Sequence, residues 1–420
     1  MPLIRLALSP MLLLACAITS AGDWPQWRGP NRTGHVPEGV AVPTSFPAVP
    51  EVVWKKPVGF GISSPIVAGG KLFYLDDQKD RETVHAVEAA SGKDIWSADL
   101  DAAHHDSQSA PGPRTTPLVD GDLLFAQSCR GQLKCFNAAD GKVVWQTNYV
   151  KDFKATYIGE KGQAQGASRH GYTATPLVDG GHLIAEAGGP GASVVCFDKK
   201  TGAIIWKSQD DIPGYSSPII ATVAGVRQYI AFTVLGAMGL DPASGKLLWR
   251  VPIKTGFGRH AITPTVDGNI VVVSSFTAGL IGIKVDKSGD SLSASMAWDE
   301  KGLAINFASP VIVDHYLYGV GPRKNLECVD VETGKQAWSK DDFFSSNGGK
   351  AYAGMIVMGK EILILSDNGQ LFLIAADSKE FHEISRTQGC GTNWCIPAYA
   401  DGKLYLRDAK EMRCLQLLPG

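Results

Sequence analysis

Residues 115–145 read TTPLVDGDLLFAQSCRGQLKCFNAADGKVVW. Three short turn sequences, at Asp120-Gly121, Arg130-Gly131 and Asp140-Gly141, separate four short apolar runs. Asp-Gly between such runs favours a tight hairpin, because glycine adopts positive φ without steric cost. The stretch therefore predicts a four-stranded antiparallel meander. One such sheet is only marginally stable alone, so it needs neighbouring sheets to cover its faces.

The same unit recurs along the chain. Each complete copy opens with a proline before a short apolar run and closes with a strand that ends in tryptophan. The openings are Pro65, Pro117, Pro176, Pro218, Pro264, Pro310, a degenerate copy at Gly354, and Pro397. The closing tryptophans are Trp96, Trp145, Trp206, Trp249 and Trp338. Eight openings spaced by about 42 to 59 residues are typical of four-stranded propeller blades.

The two ends of the repeat array predict a closed ring. After Cys414 the last copy has no room for a fourth strand with a tryptophan, and an unassigned strand around Trp54 precedes the first copy. We expect the Trp54 strand to complete the last blade and to remove its free edge. A linear array of sheets, the alternative, would leave two apolar faces exposed. The predicted fold is all-β: an eight-bladed β-propeller over residues 51–420, expected to be monomeric.

Composition excludes some functional classes. Net charge is −2 and 20% of the residues are charged, which argues against a nucleic-acid partner. Residues 1–21 resemble a signal peptide, with Arg5, an apolar stretch and small residues at the end. We expect secretion to the periplasm or the extracellular space, with lipid attachment at Cys16 and the outer membrane as the alternative. No apolar run in the sequence predicts a transmembrane span.

Residues 22–50 form a separate lead-in segment. It contains DWPQWRGPNRTG, whose Trp, Pro, Arg and Gly content fits neither a helix nor a strand. Two tryptophans are costly to leave in water, so we expect an ordered segment that packs against the propeller. Two long insertions, residues 101–114 and 151–172, precede the second and third blades on one face of the predicted ring. Long loops on one face are where binding sites are usually built.

Most cysteines fit a packing role. Cys135, Cys196 and Cys328 share one position of the third strand, where a small buried residue is expected. Cys390 and Cys395 are close enough in sequence for a loop disulfide in an oxidising compartment. Proximity in sequence does not establish the geometry that a disulfide requires.

The residues just before each opening proline form a column that would lie at the rim of the central channel. With their upstream neighbours they are Arg114, Arg169, His170, Tyr172, Tyr215, Arg259, His260, Asn306, Lys350, Asn393 and Trp394. A ring of Arg, Lys, His and aromatic residues suits a polar or anionic ligand, or a loop of a protein partner. Alternatively, these residues only cap the face by hydrogen bonding to its loops.

Other constellations give weaker signals. His104, His105 and Asp106 are adjacent on a loop, but no spaced third ligand follows, so no metal site is expected. The sequence has no GxSxG motif, and no catalytic residues are assigned.

The repeat, with openings such as SSPIV at Ser63 and closings such as TGKQAW up to Trp338, resembles the pyrroloquinoline-quinone (PQQ) repeat family. The resemblance covers nearly the whole chain from Asp23 onward. The lead-in is similar to the start of quinoprotein alcohol dehydrogenases, whereas the size and layout look more like the BamB-like outer-membrane assembly proteins. The resemblance implies a propeller that several members build with eight blades. It is specific for fold and weak for activity.

The resemblance implies two main functions. Quinoprotein enzymes hold PQQ with calcium, a carboxylate base and often a vicinal cysteine pair. Here there is no Cys-Cys, and the loop at Gly188 and Gly189 lacks the enzymes' calcium-binding glutamate, with Glu186 displaced before the glycines. The favoured hypothesis is a non-enzymatic binding or scaffolding protein of the cell envelope, without a cofactor. A PQQ-dependent oxidoreductase with calcium and a secreted carbohydrate-binding propeller are the alternatives.

Overall fold

The computed structural model describes residues 22–107, 111–344 and 351–418. The predicted signal peptide with Cys16, and the rim residue Lys350, lie outside the described residues. Within those ranges no helix has the length and apolarity needed to cross a membrane.

The chain forms eight four-stranded antiparallel sheets, which confirms the predicted eight-bladed propeller. Strand β1 is Glu51–Pro57. Blade 1 contains β2 (Ile66–Ala68), β3 (Lys71–Asp77), β4 (Arg81–Glu88) and β5 (Asp94–Ala102). Blade 2 contains β6 (Leu118–Asp120), β7 (Leu123–Gln127), β8 (Gln132–Asn137) and β9 (Val143–Asn148). Blade 3 contains β10 (Leu177–Asp179), β11 (His182–Gly189), β12 (Ala192–Asp198) and β13 (Ile204–Ser208).

The next three blades follow the same meander. Blade 4 contains β14 (Ile219–Val223), β15 (Val226–Thr233), β16 (Gly236–Leu240) and β17 (Leu247–Pro252). Blade 5 contains β18 (Thr265–Asp267), β19 (Ile270–Ser275), β20 (Gly279–Ser288) and β21 (Ser291–Glu300). Blade 6 contains β22 (Val311–Val313), β23 (Tyr316–Val320), β24 (Leu326–Asp330) and β25 (Gln336–Lys340).

The last two blades include the degenerate copy and the closure. Blade 7, the degenerate copy, contains β26 (Ala353–Met358), β27 (Glu361–Ser366), β28 (Gln370–Ala375) and β29 (Glu383–Gln388). Blade 8 contains β30 (Ala398–Ala400), β31 (Lys403–Arg407) and β32 (Glu411–Gln416). Strand β1 pairs antiparallel with β32, with Trp54 opposite Cys414, so the N-terminal strand closes the ring as predicted.

Within the described ranges, helical structure lies only in the connections between blades. Helices α1 (Tyr149–Phe153) and α2 (Ala167–His170) lie in the insertion before blade 3. Single 3₁₀ turns, Gly256–Gly258 and Lys301–Leu303, precede blades 5 and 6. In a four-stranded meander these connections share one face with the turns between the second and third strands. We call this the mouth face, and the other end of the ring the opposite face.

The closing tryptophans join each blade to the next. In six blades the indole N–H donates to a backbone carbonyl in the outer turn of the following blade, for example from Trp145 to Lys199 at 3.0 Å. In five of them a glycine of that turn, such as Gly202 at φ 72°, lies directly on the indole ring, and a Cβ there would clash with it. The tryptophan at the end of a repeat therefore packs on the TG, SG or DG sequence in the outer turn of the next.

Blades 5 and 7 differ from the other repeats in sequence. Blade 5 keeps the packing, since the Trp298 indole donates to Val331 at 3.0 Å, but the repeat pattern did not include Trp298 because Ser288-Gly289 lies nine residues before it instead of four. Blade 7 has Ser385 in place of a tryptophan, and the Ser385 hydroxyl accepts a hydrogen bond from the backbone N–H of Phe46 at 2.9 Å. Phe46 of the lead-in is buried in the adjoining core, so an element from outside the repeat covers this position.

Trp249 gives a direct test of blade packing. It is only 4% exposed, and its indole bonds to Gln228 of its own blade, because blade 5 has a longer outer hairpin whose strand β21 packs against β17. Trp249→Ala should lower the free energy of unfolding by about 3–5 kcal/mol, the usual cost of truncating a buried tryptophan. Val143→Ala, on an exposed outer strand, is the control and should cost less than about 0.5 kcal/mol. Urea unfolding followed by circular dichroism measures both, and equal costs would contradict the assigned packing.

Four of the residues before an opening proline link neighbouring blades around the channel. The hydroxyl of each accepts a hydrogen bond from the backbone N–H of the equivalent residue in the preceding blade, as Thr175 does from Thr116 at 3.1 Å. Comparable bonds run from Thr175 to Ser217, from Thr263 to Ser309 and from Ile396 to Ser64. The recurring Ser-Pro and Thr-Pro sequences thus join four pairs of neighbouring blades at the mouth end of the channel.

The lead-in segment fills the channel. It starts on the opposite face, where the Asp23 carboxylate accepts from the backbone N–H of Gly69, and pairs with β2 through Trp24 and Val67. It then turns near Trp27 and returns along β26, with His35 bridged to Val357. Its contacts reach the innermost strand, or one of the two residues before it, in all eight blades. The segment therefore forms an internal plug.

Two buried arginines hold the plug. Arg32 is 4% exposed and donates to the carbonyls of Thr175 (3.1 Å), Pro176 and Pro218 (2.8 Å). Arg28 donates to the carbonyl of Pro310. Burial lowers the pKa of Arg32 to about 9 and that of Arg28 to about 10, so both remain charged at neutral pH. These guanidinium groups stabilise the inner ends of blades 3, 4 and 6.

All seven cysteines in the described residues are buried and free. Cys390 and Cys395, for which a disulfide was considered, are separate thiols, and the Cys395 thiol lies 3.6 Å from the carbonyl oxygen of Ser63 in blade 1. Cys135, Cys196, Cys328 and Cys414 lie opposite the closing tryptophans in their sheets, where the packing leaves room only for a small side chain.

Candidate functional site

A cavity of about 600 Å³ opens on the mouth face, at the end of the central channel. Trp27, at the turn of the plug, forms part of its lining, and its indole N–H donates to the hydroxyl of Thr263 at 2.8 Å. Because the plug fills the channel beyond Trp27, the cavity is a blind cup. Its volume is typical of sites that bind small ligands or inserted side chains.

Aromatic side chains form one wall of this cup. Trp394 stacks on Tyr352 with ring centroids 4.8 Å apart and 16° between planes, and Phe307 meets Trp394 edge-on at 5.8 Å. Phe60 also lines the cavity and is 56% exposed. The wall draws on the connections before blades 1, 6, 7 and 8, so only closure of the ring brings these rings together.

A charged cluster forms the other wall, around Asp106. The Asp106 side chain is 2% exposed and accepts hydrogen bonds from Arg114 at 2.8 Å, His170 at 3.1 Å and His104 at 3.3 Å. Arg114 also donates to the backbone carbonyl of His170 at 2.9 Å. Both long insertions contribute to this cluster, which ties them to each other. Asp106 thus neutralises Arg114 in a partly dry environment.

Both histidines of the cluster are neutral near pH 7. Burial lowers the pKa of His104 to about 4, with Arg114 acting in the same direction, and burial also lowers the pKa of His170. His170 Nε2 lies 3.0 Å from the Nε–H of Arg169 and accepts from it, which assigns the proton of His170 to Nδ1, facing Asp106. The cluster therefore carries one cation and one anion that offset each other.

Local structure places His170 at this wall. Helix α2 ends at His170, and Gly171 follows at φ 79°. A Cβ on Gly171 would come within 2.5 Å of the carbonyl oxygen of Cys129, so glycine is required there. The chain then turns directly into blade 3.

The predicted rim residues divide into three groups. Arg114, His170, Tyr215, Asn393 and Trp394 line the cavity. Arg169, Arg259 and Asn306 are half-buried next to it: Arg169 contacts His170, the Arg259 carbonyl accepts from Ser275, and Asn306 precedes the lining residue Phe307. Tyr172 and His260 lie in the core.

The placement of Tyr172 and His260 at the rim was wrong. Tyr172 is 2% exposed, and its hydroxyl donates to the carbonyl of Ala187 at 2.7 Å. His260 is fully buried, stacked on Phe232 with centroids 4.0 Å apart, and burial lowers its pKa to about 4. Alignment to the opening proline gives the position of a residue along the chain. The bend of each connection decides whether its side chain faces the channel mouth or the core.

A buried carboxyl group, that of Glu82, lies close to the charged wall. Glu82 is fully buried, and one of its oxygens accepts from the backbone N–H of Cys129 at 3.2 Å. Burial raises the pKa of Glu82 to about 8, and the charge of Asp101 acts in the same direction. Glu82 is therefore protonated in the folded protein at neutral pH.

This protonation predicts a pH dependence of stability. Between pH 4.5 and about 8 the unfolded chain loses the Glu82 proton while the folded chain keeps it, so this contribution to stability falls as pH rises through the window. Glu82→Gln should remove that loss of stability. Its free energy of unfolding relative to wild type should be larger at pH 8.5 than at pH 4.5 by on the order of 3 kcal/mol. Urea unfolding at both pH values measures it, with the exposed Glu38→Gln as control. An equal effect of Glu82→Gln at both pH values would contradict the assignment.

Residues 80–340 match the family model described as "Outer membrane protein assembly factor BamB". The chain belongs to the BamB family of PQQ-repeat propellers. Outer membrane protein assembly factor BamB of Yersinia pestis is 24% identical over 343 residues, which cover 74% of this chain and 76% of the relative.

Solved structures extend the fold comparison of this BamB-family chain. BamB from Moraxella catarrhalis superposes with a TM-score of 0.59 at 15% identity, covering 88% of this chain and 98% of that one. Quinohemoprotein alcohol dehydrogenase from Comamonas testosteroni superposes with a TM-score of 0.51 at 14% identity, covering 94% and 80%. At these identities the likeness shows the shared fold.

The cavity of this BamB-family propeller does not fit a calcium-bound quinone. Asp106 is held by Arg114 and the histidines, and Asp408 accepts from the backbone N–H groups of Gly391, Lys410 and Glu411. Among the described residues no three His, Cys, Asp or Glu side chains are placed to hold a metal ion. Calcium takes six to eight oxygen ligands.

Glu186 is equally unsuited to calcium. It is 4% exposed within blade 3, and burial raises its pKa to about 8, with Asp211 acting in the same direction and Arg32 of the plug opposing. A carboxyl group that retains its proton near neutral pH is a poor ligand for a hard cation.

Sequence reasoning missed Trp27, Tyr352 and Asp106 as cavity residues. Trp27 lies outside the repeat, so no alignment of openings includes it. Tyr352 belongs to the degenerate copy, and Asp106 was considered only as a metal ligand. The one available signal was the pair of tryptophans in the lead-in, which indicated packing against the propeller but not where.

Proposed function

We propose that this protein is a non-enzymatic propeller of the cell envelope that binds a protein partner at its mouth face, in a role like outer-membrane protein assembly. Family membership supports the role, since the matching model and the curated relatives carry the name of an outer-membrane protein assembly factor. No cofactor is part of this proposal.

The blind cup on the mouth face is the observation that carries the proposal. Its carboxylates, Asp106 and Asp408, are engaged within the chain, and in the part of the chain that the structure describes no three His, Cys, Asp or Glu side chains are placed to hold a calcium ion. The wall facing them is aromatic and ends in the exposed ring of Phe60. Exposed aromatic residues around a concavity are typical anchors of protein–protein recognition.

The mouth face offers further exposed apolar side chains near the cup. Ile158 and Leu235 are each 48% exposed on connections of blades 3 and 4. These connections adjoin, because the backbone N–H of Ala167 donates to Pro213 and that of Val234 to Ile212. The face thus presents a continuous surface of three loops beside the cavity. Such a surface is more consistent with a partner-binding face than with loops that only cap the end of the propeller.

Site-specific photocross-linking in the envelope of the native cell tests the proposal. A photoreactive residue at Phe60, Ile158 or Leu235 should give a cross-link to an outer-membrane protein assembly component, identified by mass spectrometry. The same group at Asp122 or Asn269, on turns of the opposite face, is the matched control. Cross-links of equal yield from both faces, or none from the mouth face, would contradict docking there.

Titration with PQQ and calcium tests the rival enzyme function. We expect no saturable absorbance change and no dye-linked alcohol oxidation by the purified protein. Saturable binding at micromolar PQQ together with oxidation would overturn the non-enzymatic proposal.

A further inference from the structure

The polar groups of the cup are largely satisfied within the protein. Asp106 accepts from Arg114 and two histidines, and Asp408 accepts from three backbone N–H groups. The Asn393 side chain donates to the carbonyl of Ser366 at 2.6 Å. A ligand rich in hydroxyl or carboxylate groups would have to break these bonds to gain its own. The cup therefore offers stacking surface more than hydrogen-bonding capacity.

Two hydroxyl groups in the lining differ from the rest. The hydroxyls of Tyr215 and Thr116 are buried and have no hydrogen-bond partner within the described parts of the chain. Thr116 is 3% exposed and occupies the pre-proline position, where Thr175, Ser217, Ser309 and Ser64 accept from the preceding blade. The Thr116 hydroxyl accepts no such bond, and neither does that of Thr263, which accepts from the Trp27 indole instead. A buried polar group without a partner is costly, so an occupant that bonds to it gains stability.

Charge near Tyr215 disfavours a cationic occupant. Burial raises the pKa of the Tyr215 hydroxyl, while the guanidinium groups of Arg169, Arg259 and Arg114 act in the opposite direction and Asp106 adds to the rise. Three cations and one carboxylate therefore lie within electrostatic range of this hydroxyl. A lysine or arginine side chain bonded at Tyr215 would meet more positive than negative charge on that side of the cup.

We propose that the cup receives one aromatic side chain of the partner, stacked on the Trp394–Tyr352 wall above Trp27, with its peptide group bonded to Tyr215 or Thr116. This inference rests on the proposed function and names the chemistry of the group that the partner inserts. The wall supplies ring faces and edges in the geometry that aromatic pairs prefer. The volume of about 600 Å³ has room for one ring and the backbone that carries it.

Blocked amino acids serve as probes of the cup. N-acetyl-phenylalaninamide and N-acetyl-tryptophanamide, titrated into the full-length protein, should shift the indole N–H resonances of Trp27 and Trp394 saturably. N-acetyl-leucinamide should bind more weakly and N-acetyl-lysinamide should give no saturable shift. Free phenylalanine lacks the two blocked peptide groups and should bind more weakly than N-acetyl-phenylalaninamide. This comparison distinguishes a ring carried by a peptide from a small-molecule metabolite.

Conservative variants test the two hydroxyls without removing the rings. Tyr215→Phe and Thr116→Val should each weaken binding of N-acetyl-phenylalaninamide about threefold to tenfold, the usual value of one hydrogen bond. Tyr316→Phe, at a half-buried tyrosine of β23 outside the cup, is the matched control and should leave it unchanged. Thermal melting of each variant confirms that it folds.

The outcomes separate this inference from the proposed function. Absence of a saturable shift, tighter binding of the lysine or leucine probe than of the aromatic probes, or tighter binding of glucose or PQQ would overturn the inference. Aromatic probes that bind at the cup while the mouth face gives no cross-link would support the inference about the cup and refute the envelope docking. Cross-links at the mouth with no probe binding would support the envelope docking and refute the inference about the cup.

Discussion

A chain that lacks residues 22–56 should fail to fold as a stable monomer. The deletion removes the channel plug and strand β1, and with them Trp24 and Trp54, which are 2% and 9% exposed. Each buried tryptophan is worth about 3–5 kcal/mol, so the two together approach the whole stability of a typical domain. The open edge of β32 would also be free to pair with other chains. We expect a loss of cooperative melting and aggregation in size-exclusion chromatography.

A shorter deletion separates the two elements. Removing residues 22–49 takes away the plug but keeps β1 and the ring closure. This variant should melt cooperatively at a lower temperature than wild type and remain monomeric. If both deletions melted like the wild type, neither the closing strand nor the plug would contribute to the stability of the ring.

Arg32→Met should lower the free energy of unfolding by about 3–5 kcal/mol. The guanidinium group of Arg32 bonds to the carbonyls of Thr175, Pro176 and Pro218, which join two blades to the plug. Methionine has a similar length but donates nothing, so these buried carbonyls would lose a donor at a cost of about 1–3 kcal/mol for each one left unpaired. Urea unfolding followed by tryptophan fluorescence measures the change.

Arg227→Met is the control for this variant. Arg227 forms an ion pair with Asp179 on the surface, where its side chain is 52% exposed. Exposed pairs of this kind contribute about 0–1 kcal/mol. A similar cost for the two substitutions would mean that the buried guanidinium does not hold the plug in solution.

The repeat pattern alone was sufficient to predict the ring. The spacing of Pro65, Pro117 and their equivalents gave eight blades, and the strand of Trp54 was assigned correctly to the last one. These features are local, because turn chemistry and alternating apolar runs specify each meander independently. Trp298 was not recognised because its outer hairpin is longer, so Ser288-Gly289 lies nine residues before it instead of four.

The candidate site could be predicted only in part. Arg114, His170, Tyr215, Asn393 and Trp394 do line the mouth cavity, as their position before the opening prolines indicated. Tyr172 and His260, at the same position, turn into the core instead. A repeat alignment places a residue at one end of a blade, but packing against the neighbouring connections sets the direction of its side chain.

The sequence by itself determined the fold, the blade number and the ring closure, because each repeat carries its own turns, strands and closing tryptophan. Only the tertiary structure decided that Arg28, Arg32 and Trp27 lie inside the channel, since their partners are backbone carbonyls and a hydroxyl contributed by blades 3 to 6. Backbone acceptors have no signature in the sequence. The blind aromatic cup follows from that plug, because its lining residues, far apart along the chain, meet only when the ring is closed around the lead-in.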